Sequence, residues 1–368
     1  GTSMSLSIPS PAPQPMLRPP RDRRDTVWHR LFGNLFSAVA TVAALGLALT
    51  AAGHLINWAV IDAVWPGAAG DVCRKTDGAC WAFLAEKMRQ ILFGIYPPGE
   101  QWRPTAVCLF ILAMTVYSLS PRHWRVRTAV AWVAGMAGCL LLMQGGALGL
   151  ARVPTSSWGG LPVTLLLAVC SLGAGLPLGV LLALGRRGSL PMARIICVGV
   201  IELIRGLPLV SLLFMASIVL PIMLPAGMTI DSLLRAGIAL TIFSAAYLAE
   251  VIRGGLQAIP AGQAEASRAL GLSWWQMTRL VVLPQALRKV IAPLTNTAIV
   301  MIKNTSLVLI VGLFDLLSSG RAALTDPTWP TPYVETYLFI ASIYFCICFS
   351  LSRYSMWLEQ RYKKGDLR

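Results

Sequence analysis

Charge is scarce in this chain: of 368 residues only 13% are Asp, Glu, Lys or Arg, against 56% hydrophobic, and the mean hydropathy is +0.66. A soluble domain must present a wetted surface, and this composition cannot supply one. Acidic residues are rarer still, 16 against 31 basic ones. Histidine occurs three times, at His29, His54 and His123, isolated and without metal-ligand spacing, so no metal site is expected. A phosphate-binding run of the form GxxxxGK[ST] is missing, which excludes ATP hydrolysis by that machinery within this chain. No CxxC pair occurs. Strand-like alternation over about ten residues is also missing, which argues against an outer-membrane barrel.

What the chain does have is apolar runs of about 20 residues, and in a bilayer such runs must be helical because every backbone polar group needs an internal partner. Eight are read, at roughly 33–62, 104–121, 128–150, 158–184, 194–221, 233–255, 291–316 and 333–357, giving an all-α polytopic membrane protein of about eight transmembrane helices. The first run lies too far from the terminus and is too long for a cleaved signal, so it reads as a retained span. Gly1 to Met4 read as a non-native leader, and residues 1–25, rich in Pro, Ser and Arg, as a disordered cytoplasmic tail.

The net charge of +15 would suggest nucleic acid in a soluble protein. Here the basic residues sit in short clusters between spans, at Arg122, Arg125 and Arg127, at Arg186, Arg187 and Arg194, and at Arg288 and Lys289. They carry topology instead, and place both termini in the cytoplasm. Trp65, Trp102, Trp124, Trp158, Trp329 and Trp357 fall near span ends, as interfacial belts do.

Of eight cysteines, six lie in apolar segments and act as small hydrophobes. Cys73 and Cys80 share a polar loop over 65–103. They are candidates for a disulfide if that loop is external, and otherwise two free thiols.

Residues 26–154 hold three spans, the 65–103 periplasmic loop and small-residue spacing at Gly145 and Gly149, read as packing. Residues 155–368 hold five spans and nearly all the intramembrane polar groups, so function is expected there.

Between the sixth and seventh spans runs a cytoplasmic loop, 259–290. Pro260 and Gly262 end the span, Gln263 to Leu270 has helical composition, and Gly271 breaks it. Ser273 can cap a second short helix holding Trp274, Trp275, Met277 and Leu280 before Pro284 stops it. Residues alone allow two readings: a protruding knob that docks a partner, or an interfacial helix on the inner leaflet.

The spacing of Glu265-Ala266-Ser267, Gly271, Val281 and Leu283-Pro284 resembles the EAA signature of ABC importer permeases, with Ser for the second Ala and Val for Ile. Glu202 to Leu209, Ala246 to Gln257 and Lys303 to Leu307 resemble the polar amino acid permeases of histidine, glutamine and arginine systems. The three-span extension resembles the longer permease of general L-amino acid or glutamate, glutamine, aspartate and asparagine importers.

The resemblance implies a transport subunit, not an enzyme, of a bacterial inner-membrane importer for polar or acidic L-amino acids. It implies coupling helices that insert into an ABC ATPase dimer, with Glu265 and Gly271 fixing the local geometry and the helix around Arg268 to Met277, with Trp274 and Trp275, making contact; Ala266, Ser267, Leu283 and Pro284 complete the docking residues. ATP and Mg would sit on that partner, with no cofactor in this chain. A related, shorter permease forming a heterodimer and a periplasmic substrate-binding protein are the other implied partners.

Ionisable groups within spans are costly unless paired. Glu202 with Arg205, and Glu250 with Arg253, stand at i,i+3 and can neutralise each other. Lys303 has no acid within a turn and is followed by Asn304, Thr305 and Ser306, while Asn296 lies two turns before it on the same face. A cation among amides and hydroxyls suits a carboxylate-bearing substrate. Glu250 and Arg205 are counted with these as candidates for the substrate pathway; the alternatives are a lysine that snorkels or pairs with Glu250, and, from another class, a secondary transporter or channel using Glu250 and Lys303 as an ion relay. A membrane scaffold without transport would leave the polar core spans unexplained.

Overall fold

The computed structural model describes residues 27–365 apart from 147, 148, 189 and 226; the expected tail over 1–25 lies outside the described residues. The chain divides after Ala63 into two compact units.

The first unit contains the Leu35–Ile56 helix, extended by a π-helical turn over Asn57–Ile61. Asn34 caps its start, its side chain accepting from the Phe36 N–H at 2.9 Å. The helix is apolar on every side and none of its side chains is buried, as suits a lipid-facing span.

In the second unit the continuous spans are Val126–Gln144, Gly160–Arg187, Ser232–Gln257, Ile291–Val311 and Tyr333–Tyr362. With the first unit's helix that makes six among the described residues, or seven if a bent pair is counted as one. Two expectations account for the difference from eight. Trp102–Ser118 is helical over 17 residues, about 26 Å at 1.5 Å each, at the short end of what crosses a hydrocarbon core of about 30 Å, and is not counted among the six. The span expected over 194–221 is broken: Pro191–Gly206 and Leu209–Met223 meet at 105°. Pro208 excludes the helical conformation at Leu207, which is extended at φ −96° and ψ 138°.

A third correction concerns Gly145 and Gly149. The helix stops at Gln144; Gly145, at φ 66°, ends it, and Gly149, at φ 76°, lies beyond the end, so the two do not form a small-residue stripe on a helix.

The center of the second unit is the packing of Gly160–Arg187 on Ser232–Gln257. A buried stripe of Ser171, Gly175, Gly179 and Ala183 lets the two backbones approach. A Cβ on Gly175 would stand 2.1 Å from Ser244 Oγ, and one on Gly179 3.0 Å from the Ala245 carbonyl. Ser244 Oγ donates across the seam to Ser171 O at 2.9 Å. Gly179→Leu is therefore expected to cost roughly 1–3 kcal/mol by overpacking. Gly173→Ala, where nothing lies within 4 Å, should be neutral. Thermal unfolding of the two variants in the same detergent checks the contrast.

The 65–103 loop is folded onto the second unit's own spans. Cys73 and Cys80 are joined in a disulfide with Cα atoms 5.7 Å apart. The Cys80 N–H donates to the buried Glu335 carboxylate at 2.8 Å, Lys87 pairs with Asp326 at 2.5 Å, and Phe83 meets Trp329 edge-on at 5.6 Å. Hydrogen bonds from Lys87 and Thr328 hold the Asp326 carboxyl well below the usual carboxylate range. Gly160, at φ +70°, must be glycine, since a Cβ there would lie 2.0 Å from Leu92 O, and its N–H donates to Ser319 Oγ at 2.9 Å.

Candidate docking loop and charged cluster

The loop begins as Ala261–Ala269 and closes with a glycine cap. Gly271, at φ +75°, donates to Arg268 O at 2.9 Å, and Leu272 donates to Ser267 O at 3.1 Å, the paired bonds of a Schellman ending. Ser273 then opens the next helix with a capping box: Ser273 Oγ accepts from the Gln276 N–H at 3.3 Å, and Gln276 Oε1 accepts from the Ser273 N–H at 2.9 Å.

Pro284 does not stop this helix. Trp274–Met277 runs through a π-turn over Thr278–Val282 into Leu283–Lys289. Leu283 keeps helical angles and donates five residues back, to Thr278 O, so the wider turn accommodates the proline's missing N–H.

The expected loop residues separate into two groups. Glu265, Ala266, Arg268, Gly271, Trp274 and Trp275 are exposed, whereas Ser267 and Met277 are buried and Leu283 and Pro284 half-buried. Met277, expected at the surface, thus helps hold the loop together. Leu270, 81% exposed beside Gly271, joins Trp274, Trp275 and Leu280 in an apolar surface that the motif alone did not single out; the signal was an unpaired leucine at a helix end. Gln285 Nε2 donates to Gln263 Oε1 at 3.1 Å and ties the two helices.

Within the spans, charged groups gather around Glu250. Arg253 Nε donates to Glu250 Oε1 at 2.8 Å, Arg186 Nη1 lies 3.3 Å from Oε2, and Arg205 Nη1 lies 3.8 Å from Oε2. Glu202 pairs with Arg186 at 2.9 Å and not with Arg205, contrary to the i,i+3 expectation. The reason is the packing of three helices, which sets Arg186 against Glu202 while Arg205, on Glu202's own helix, is directed to Glu250. Arg205 instead lies over the Tyr247 ring at 5.7 Å. Arg186 was read only as a topology signal, because spacing along one chain segment cannot show a partner on another.

Lys303 is not part of this cluster. It is exposed on a groove of about 590 Å³ lined also by Ser306, Leu317, Tyr337, Tyr344 and Cys348, and none of the ion pairs among the described residues involves it. Asn296 is exposed and Asn304 half-buried. Thr305 is fully buried and its hydroxyl donates to Ile302 O at 2.7 Å, so it does not face the groove.

A helical membrane protein with a structured loop between spans and charges neutralised inside the bundle has the construction of a transport subunit. Residues 175–364 match the family of binding-protein-dependent transport system inner membrane components, and the chain belongs to it. It is the permease subunit of an ABC importer, a multi-pass inner-membrane protein; such subunits are not ATPases, carry no cofactor and act with a separate ATPase and a binding protein.

The chain is 43% identical over 350 residues to the inner membrane amino-acid ABC transporter permease YhdY of Escherichia coli K12, spanning 93% of this chain and 94% of that one. It is 35% identical over 401 residues to the glutamate/glutamine/aspartate/asparagine permease BztC of Rhodobacter capsulatus, spanning 90% and 92%. The probable glutamine permease GlnP of Bacillus subtilis is 33% identical over 204 residues, which is 92% of that chain but 55% of this one.

Proposed function

We propose that this permease carries polar or acidic L-amino acids, with residues 261–289 docking the ATPase and both termini in the cytoplasm. The cargo class is supported by the names of its relatives, YhdY for amino acids and BztC for glutamate, glutamine, aspartate and asparagine. The observation that carries the docking reading is the exposed surface of Leu270, Trp274, Trp275 and Leu280, set on two rigidly capped helices between spans. A core of 155–368 with a three-helix extension over 26–154 fits the short relative, which is nearly spanned by about half of this chain. The partner permease is then a related, shorter chain in a heterodimer.

The test is amino acid uptake in proteoliposomes holding this chain with its candidate permease, ATPase and binding protein. Uptake is expected to need ATP and all components; uptake that survives omission of the ATPase would sink the reading. The ion-relay alternative has little support, since Glu250 is engaged by arginines and Lys303 faces a separate groove.

Lys303, with Ser306 beside it, is proposed to contact the substrate carboxylate from that groove. Lys303→Met should raise the KM for glutamate about tenfold or more, the loss of one charge-assisted hydrogen bond, while ATP hydrolysis stimulated by the binding protein persists. An unchanged KM removes Lys303 from the substrate path.

A further inference from the structure

The turn between the Trp102–Ser118 and Val126–Gln144 helices carries a basic pocket that transport does not account for. Arg122, His123, Arg125, Arg127, Tyr117 and Thr128 line a cavity of about 300 Å³. The sequence holds no Asp or Glu from 101 to 201, and none of the ion pairs among the described residues involves these three arginines. Four other arginines near span ends are engaged within the protein: Arg186 and Arg253 by carboxylates, Arg288 and Arg361 by the rings of Tyr362 and Trp357 at 5.4 and 5.3 Å. Among the described residues, none of the carboxylates in the ion pairs above neutralises the charge at this turn.

The turn is also held in shape. The His123 ring stacks on Tyr117 with centroids 4.0 Å apart, and its Nδ1 lies 2.8 Å from Tyr117 O. Trp124 Nε1 donates to Ser118 O at 2.9 Å, Trp132 Nε1 to Ser118 Oγ at 3.0 Å, and Thr128 Oγ1 to His123 O. A basic site fixed by its own hydrogen bonds loses little freedom when an anion arrives.

The surroundings say where the anion comes from. Leu112, Val116, Val126, Val130 and Val133 are exposed on the two helices that meet at the turn, and Trp124 is half exposed at the turn itself. Apolar faces below and an indole at the boundary put the arginines at head-group depth. Guanidinium groups bind phosphate oxygens in a planar, bidentate fashion. We propose that this pocket binds the phosphate of an anionic phospholipid, as basic pockets between transmembrane helices do. The assignment is independent of the cargo and of the docking loop.

The test uses the full chain with its partner subunits, exchanged into phosphatidylcholine nanodiscs with graded phosphatidylglycerol and read by native mass spectrometry. Wild-type complex should retain anionic lipid, and R122Q/R125Q/R127Q should retain at least fivefold less, with the stabilisation that added phosphatidylglycerol gives wild type lost in the variant. Equal retention overturns the proposal. Millimolar glycerol phosphate should not strip the retained lipid; if it does, the pocket takes a soluble phosphate and the lipid assignment falls. If the triple variant does not fold, single R122Q, R125Q and R127Q variants should each lower retention about twofold, and no change in any of them is equally decisive against it.

Discussion

A chain with valine at position 271 should reach the membrane in normal amount and lose ATP-driven uptake by at least two orders of magnitude. Gly271 sits at φ +75°, where a β-branched residue is strained by roughly 1–3 kcal/mol. Nothing lies within 4 Å of the position a Cβ would take, so the effect comes from the backbone and not from a clash. The strain is relieved by letting residue 271 leave the left-handed region. That breaks the bonds from Gly271 to Arg268 O and from Leu272 to Ser267 O, and changes the angle at which Trp274 and Trp275 stand to the Ala261–Ala269 helix. A contact surface that must fit a groove is sensitive to such an angle, while the spans on either side are not. The series Gly, Asn, Ala, Val should therefore fall in that order, because asparagine tolerates the left-handed conformation better than alanine. Uptake and stimulated ATP hydrolysis should fall together. Full uptake by Gly271→Val would count heavily against docking through this loop.

How much of this was legible in advance depended on whether the controlling interaction was local. The glycine stop at 271 and the cap at Ser273 are short-range rules, and the loop follows both. Pro284 obeyed a local rule too, but the outcome was underdetermined, because a missing N–H can end a helix or be absorbed in a π-turn, and here the helix goes on to Lys289. Pro208 made the opposite choice, with Leu207 leaving the helix. Hydropathy could not tell the two apart. Gly145 shows a similar ambiguity, since a glycine near the end of an apolar run reads equally as a packing residue or a terminator. The ion pairs were hidden for a different reason. Arg186 stands 16 residues from Glu202 and 64 from Glu250, and only the crossing of the helices brings them together.

That convergence on Glu250 gives the second large expectation, which is that Glu250→Gln should damage the protein far more than Glu202→Gln. Glu250 is shared by Arg253, Arg186 and Arg205, and its side chain is 21% exposed; Glu202 makes one direct ion pair among the described residues, with Arg186, and is 54% exposed. Neutralising the first leaves three guanidinium groups close together in an apolar bundle with one peripheral carboxylate among them. Removing one member of a buried pair costs about 3–5 kcal/mol, and partial exposure of this cluster reduces that to roughly 1–3 kcal/mol. The melting temperature in detergent should drop by several degrees for Glu250→Gln, with uptake lost, and by little for Glu202→Gln. The double variant E250Q/R253Q should recover part of the loss, because it removes an orphaned charge along with the missing one, and a double-mutant cycle measures that coupling. Equal effects of the two single variants would mean that the cluster is not organised around Glu250. A proton relay predicts a different pattern, in which Glu250→Gln keeps its stability and loses only the pH dependence of transport. The arginines on both carboxylate oxygens argue for the structural outcome, in which this carboxylate serves to hold three helices in one arrangement through the transport cycle.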